Sequence, residues 1–117
     1  MSDTVVVPMP EQFEHLESYY STAFHELTHS TGAENRLNRL KTGASAAFGG
    51  EDYSKEELVA ELGAAMLTHH CGLESEKSFK NSAAYLQSWL AALKNDKSMI
   101  VSAASRAEKA VNYILGA

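Results

Sequence analysis

The sequence predicts a mainly helical domain with one short N-terminal strand. Two observations carry the helices. Apolar residues recur at three- and four-residue intervals over most of the chain, and glycines or short polar runs cut that pattern into four stretches. The third observation is TVVVP at residues 4–8, a β-branched run closed by proline, which reads as a strand. A chain of 117 residues holds one domain with a modest core and is too short for two.

The first helix is expected from Glu11 to Thr31, with Leu16, Tyr19, Ala23 and Leu27 as its core face. The opposite face carries Ser18, Ser21, Thr22, His25, His29 and Gly32. Small polar residues there let a second element come close, and Gly32 is placed to cap the helix C-terminus. Residues 33–53 show no period and include the flexible GASAAFGG, a loop long enough to serve as a lid. The second helix is expected from Ser54 to Cys71, with Gly72 ending it. The third runs from Ser78 to Asn95, with Phe79, Ala83, Leu86, Leu90 and Leu93 as a stripe and Trp89 beside it. The fourth runs from Ser98 to Leu115, with Ile100, Ala103, Ala107, Val111 and Ile114 in line. These stripes are core faces.

Composition narrows the function. Hydrophobic residues make up 44% and charged residues 21%, ordinary for a globular protein. No apolar run is long enough to span a bilayer and the start shows no signal-peptide pattern, so no membrane partner is expected. The lone cysteine, Cys71, excludes an internal disulfide, points to a reducing cytoplasm and reads as a small buried hydrophobe. A net charge of −5 argues against nucleic acid as this chain's main ligand. The densest basic stretch, NRLNRLK at 35–41 with Arg36, Arg39 and Lys41, reads as a solvated loop, with contact to an anion or substrate carboxylate as the alternative.

Residues 25–29, HELTH, carry the chemistry. Positions four apart lie one turn apart on the same helix face, so His25 and His29 can aim imidazole nitrogens at one ion. Glu26 sits beside the first imidazole, about 100° around the helix, where it can serve a metal-activated water without binding the metal. A catalytic zinc site needs a third protein ligand. In the second helix Glu57 and Glu61 are four apart on a face with Ala60, Ala64, Ala65 and Thr68. That small face can pack against the small face of the first helix, which places Glu57 as third ligand. Glu61 then accepts from a ligand histidine's other N–H. SKEE at 54–57 also fits a capping box; in that case Glu57 only caps its own helix and Glu61 becomes the ligand. Glu56 is expected to face solvent. His69 and His70 read as imidazoles favouring a helix C-terminus, and His15 has no partner at metal spacing.

The pattern HExxH followed one helix later by ELVAE resembles the gluzincin arrangement of zinc metallopeptidases. The likeness extends to YYSTAFHELTHSTG (19–32), RLNR (36–39), FGGEDYSKEELVAELGAAML (48–67) and YLQSWLAAL (85–93). Together these resemble the zincin-like metallopeptidase domain of ArdC-family antirestriction proteins and of polyvalent proteins of mobile elements, over nearly the whole chain. The resemblance implies a mainly α, zincin-like α+β fold, with the HExxH helix packed on the Glu-bearing helix and two C-terminal helices following. It implies Zn2+ held by His25, His29 and a glutamate of ELVAE, with Glu26 as the catalytic residue. It also implies a C-terminal fragment of a longer protein whose N-terminal domain binds single-stranded DNA.

The expected activity is peptide-bond hydrolysis on a peptide or protein substrate, with Glu26 as general base and Tyr53 as candidate donor to the oxyanion. TVVV could pair with an extended substrate. The alternative is a zinc-binding interaction module with weak or no activity, on a partner protein.

Overall fold

A computed structural model describes residues 4–39, 51–92 and 97–116. Four α-helices carry the fold: α1 (Leu16–Ser30), α2 (Glu51–His70), α3 (Glu76–Ala92) and α4 (Lys97–Leu115), preceded by a 3₁₀ turn at Pro10–Gln12. Helix α2 is the centre. Helices α1 and α4 pack along it, and α3 meets it over a smaller surface. Leu58, Val59 and Ala60 are consecutive and all buried. Three successive residues cover about 200° of a helix circumference, so α2 is covered on more than one side.

The core joins α2 to α4. Leu58 and Val59 meet Ala103 and Ala107, with Leu62, Met66, Leu86, Trp89 and Ile100 packed around them. The expected stripe of the fourth helix is the one that is buried: Ala103, Ala107 and Val111 lie inside, joined by Ala110. Alanines at this spacing let α4 approach α2 closely. Of the third helix's stripe, Leu86 packs against the core with Trp89, whereas Phe79 is 61% exposed.

Helix α1 departs from expectation at its start and at Leu16. It begins at Leu16 and not at Glu11, because the backbone of His15 is extended at φ −125°, ψ 137°. Leu16 is 61% exposed, while Thr28 and Thr31 are fully buried. As expected, the polar, small face is the one that packs on α2. At the contact, a Cβ added to Gly63 would lie 2.6 Å from Thr28 Cγ2 and 2.7 Å from its Oγ1. The absent side chain of Gly63 is what allows this approach. Thr28 offers a methyl group to the interface while its hydroxyl donates to Phe24 O at 2.8 Å, so a buried polar residue is satisfied within its own helix.

The segment 4–8 expected to form a strand is not one, and no strand occurs among the described residues. A strand needs a neighbour for its backbone groups; Val5 and Val6 are exposed instead. Helix α2 starts at Glu51, so Ser54 lies inside it and the capping-box reading of SKEE falls. The helix ends at His70, followed by Gly72 at φ +71°, a conformation that favours glycine. Cys71 is exposed in this turn and not buried. His69 and His70 occupy the last turn of α2, and His69 Nδ1 pairs with Glu74 at 2.6 Å. Of the loop 33–53 expected to serve as a lid, residues 33–39 fold back on the end of α1, residues 51–53 belong to α2, and residues 40–50 lie outside the described residues. No helix among the described residues is long and apolar enough to cross a membrane.

Candidate metal centre

The last two turns of α1 and the second turn of α2 bring together His25, His29 and Glu57. Nε2 of His29 lies 3.0 Å from Nε2 of His25. The Glu57 carboxylate faces both rings, Oε1 at 2.9 Å from His29 Nε2 and Oε2 at 3.3 Å from His25 Nε2. Two ligand atoms bound to one ion at about 2.0–2.1 Å stand ~2.9 Å apart at a right angle and ~3.3 Å apart at the tetrahedral angle. The three side chains thus have the mutual spacing of a ligand set.

The outer nitrogens settle the tautomers. His25 Nδ1 donates to Glu61 Oε1 at 2.7 Å, and His29 Nδ1 donates to Glu56 Oε2 at 2.9 Å. An ionised carboxylate only accepts, so both Nδ1 atoms carry hydrogen. In the neutral rings both Nε2 atoms are then bare lone pairs, aimed at each other and at a carboxylate. Three acceptors this close require a cation among them, either a proton or a metal ion. The donor set fits a divalent metal.

The charges agree. Burial works to lower the His25 pKa from its ordinary 6.5, but the hydrogen bond to Glu61 and the charges of Glu61, Glu57 and Glu26 outweigh it, and the net shift is upward. Burial works to raise Glu56, but hydrogen bonds from His29 and Arg39 and the charges of both outweigh it and bring it below 4.5.

His25, His29, Glu57 and Glu61, expected on facing helix surfaces, come together in the structure. Glu26 follows His25 on α1 and contributes its charge to that ring. Tyr53 stands in the first turn of α2 and not ahead of it; its side chain lies outside the described residues. Two residues escaped sequence reasoning. Glu56 does not face solvent: its side chain is 14% exposed and holds His29. Arg39 is not a solvated loop residue. Asn38 takes a left-handed turn at φ +52°, a conformation asparagine tolerates. The chain then folds back on α1, with Arg39 N donating to Gly32 O at 2.9 Å and Leu37 N to Thr31 O at 2.8 Å. Arg39 ends against Glu56, its Nε 2.9 Å from Oε1. The signal available was the turn-forming asparagine within the basic run.

Helices that offer HExxH and a glutamate to one centre define a zincin-like metallopeptidase domain. The family model described as zincin-like metallopeptidase matches residues 1–106, and the chain belongs to that family. Among solved structures it is similar to the antirestriction protein ArdC of plasmid R388. The Mn(II)-bound form is 42% identical with a TM-score of 0.65, over 90% of this chain and 37% of that one. The metal-free form is 41% identical with the same TM-score, over 94% and 38%. Among curated proteins it is 39% identical to the DNA primase TraC of Escherichia coli over 97% of this chain. It is also 34% identical to protein y4eC of Sinorhizobium fredii. The chain spans 10% of the length of TraC and 36% of y4eC.

Proposed function

We propose that this chain is a zinc-dependent peptidase domain of an ArdC-like antirestriction protein, acting on a peptide or protein substrate in the cytoplasm. The observation that carries the reading is the convergence of two bare imidazole nitrogens and a carboxylate beside Glu26. His25, His29 and Glu57 would hold the ion. Zinc suits an imidazole and carboxylate set, and the manganese of the ArdC neighbour marks Mn(II) as the competing metal. When bound, such an ion makes a water nucleophilic at neutral pH and polarises a carbonyl oxygen. Glu26 takes the proton of the attacking water and returns it to the departing amine. Glu61 and Glu56 fix the tautomers of His25 and His29, so that neither ring presents N–H to the centre. Tyr53 donates to the developing oxyanion. Single-stranded DNA is contacted by other parts of the parent protein, in keeping with the net charge of −5.

A second reading is a metal-holding interaction module with weak or no activity. The relatives favour it to this extent: their names speak of antirestriction and of priming, not of proteolysis. Glu26→Gln separates the two. The chain loaded with Zn(II) or Mn(II) is offered fluorescence-quenched casein and its metal content is measured in parallel. Cleavage by the wild type, lost in Glu26→Gln with metal retained, supports the peptidase. Metal retained with no cleavage by either form supports the module. Tyr53→Phe should lower kcat with metal content unchanged.

A further inference from the structure

His25 and His29 are supported differently. Glu61, which holds His25, has a side chain 29% exposed; Glu56, which holds His29, is 14% exposed. A carboxylate that far from water needs a cation, and Arg39 supplies it. The Arg39 side chain is 9% exposed. Its Nε donates to Glu56 Oε1 at 2.9 Å and its Nη2 to Glu56 Oε2 at 3.0 Å, a two-pronged pairing. Nη2 also donates to Thr28 O at 2.8 Å, and Nη1 to Thr31 Oγ1 at 2.7 Å. Thr28 lies in the last turn of α1 and Thr31 caps it. One guanidinium therefore ties the end of the HELTH helix to the α2 carboxylate that orients His29.

We propose that Arg39 is a positioning residue of the metal centre, holding His29 in its ligand orientation through Glu56; the inference rests on the reading of His29 as a ligand. Glu56 is the sequence neighbour of Glu57, and Glu26 and Glu61 add two more carboxylates around the same pair of rings. With no cation on its outer side, Glu56 is an anion crowded against Glu57 and free to turn its oxygens toward the ion. Arg39 occupies both oxygens from outside. Glu56 is left with a single task on the inner side, accepting from His29 Nδ1. A lysine could neutralise Glu56 but could not reach both oxygens, a backbone carbonyl and a hydroxyl at once.

The test is Zn(II) affinity by competition with a chromogenic chelator, with the visible spectrum of the Co(II)-loaded protein as a reporter of ligand geometry. Wild type, Arg39→Gln, Glu56→Gln and the double variant are compared at a temperature where all are folded. Each single variant should lose about 10- to 100-fold in affinity, with a changed Co(II) spectrum. The double variant should lose no more than the worse single one, because both act on one hydrogen bond. Additive losses, or wild-type affinity and spectrum in Arg39→Gln, overturn the proposal. If Arg39→Gln does not fold, Arg39→Lys decides. A loss of about fivefold or more upholds the fork, and wild-type affinity overturns it. Wild-type protein that takes up neither Zn(II) nor Mn(II) removes the metal reading, and the role of Arg39 falls with it.

Discussion

Gly63→Ala tests how tightly the two helices of the centre are fitted. A Cβ at residue 63 would stand 2.6 Å from Thr28 Cγ2, so Thr28 must retreat by about 0.8 Å to restore ordinary contact at 3.4 Å. Thr28 has no accessible surface and its hydroxyl is bound to Phe24 O, so it cannot swing aside without moving α1. Two effects oppose each other. Alanine is the better helix former by about 1 kcal/mol. Overpacking a buried contact costs roughly 1–3 kcal/mol. The sum is a destabilisation of about 1 kcal/mol, a fall in Tm of roughly 4 °C for a domain of this size. Because Thr28 lies between His25 and His29, metal affinity should fall as well. Thermal unfolding followed by circular dichroism measures the first effect and chelator competition the second. In a Thr28→Ala background the two closest atoms are gone and only the Cβ of residue 28 remains, 3.1 Å away, so Gly63→Ala should cost clearly less than in the wild type. A variant that gains about 4 °C in the wild-type background would show open space at the contact and refute the reasoning.

Glu61→Gln leaves an acceptor for His25 but removes its charge; metal affinity should drop by about 10-fold or more with little change in helix content. In the metal-free protein the raised His25 contributes stability that is complete below pH 6.5 and lost as pH climbs through its folded value. The lowered Glu56 contributes stability present above pH 4.5 and lost as pH falls through its folded value. Metal-free Tm should therefore peak between those two values, and a monotonic rise through pH 8 would contradict the assignment. Metal must displace the His25 proton, so the Tm gain on adding Zn(II) should grow as pH rises through the region above 6.5. Exposed Cys71 should give a disulfide-linked dimer under air oxidation, seen on a non-reducing gel and abolished in Cys71→Ser.

Periodicity located the helices because it needs only local information. It placed α4 within a residue and identified its buried face. On α1 it found the small face that meets α2, but its apolar stripe pointed to Leu16 as core, which is exposed. The contact is governed instead by Gly63 and Thr28, whose fit depends on the absence of a side chain. The spacing of HELTH and of Glu57 with Glu61 was legible because helix geometry alone determines which residues share a face. Glu56 and Arg39 were not, because their value lies in a pairing across seventeen positions, set by a left-handed turn at Asn38. A charged residue looks the same in sequence whether it meets water or a buried partner.

The contacts that build and brace the candidate metal centre all fall between Phe24 and Glu61, with Arg39 supplied by the connection between the two helices. Closing so short a loop is entropically cheap; each doubling of its length would add only about 0.6 kcal/mol. The chain as a whole matches a tenth of one relative's length and about a third of another's, while the side chains of the candidate centre come from two consecutive helices and the connection between them.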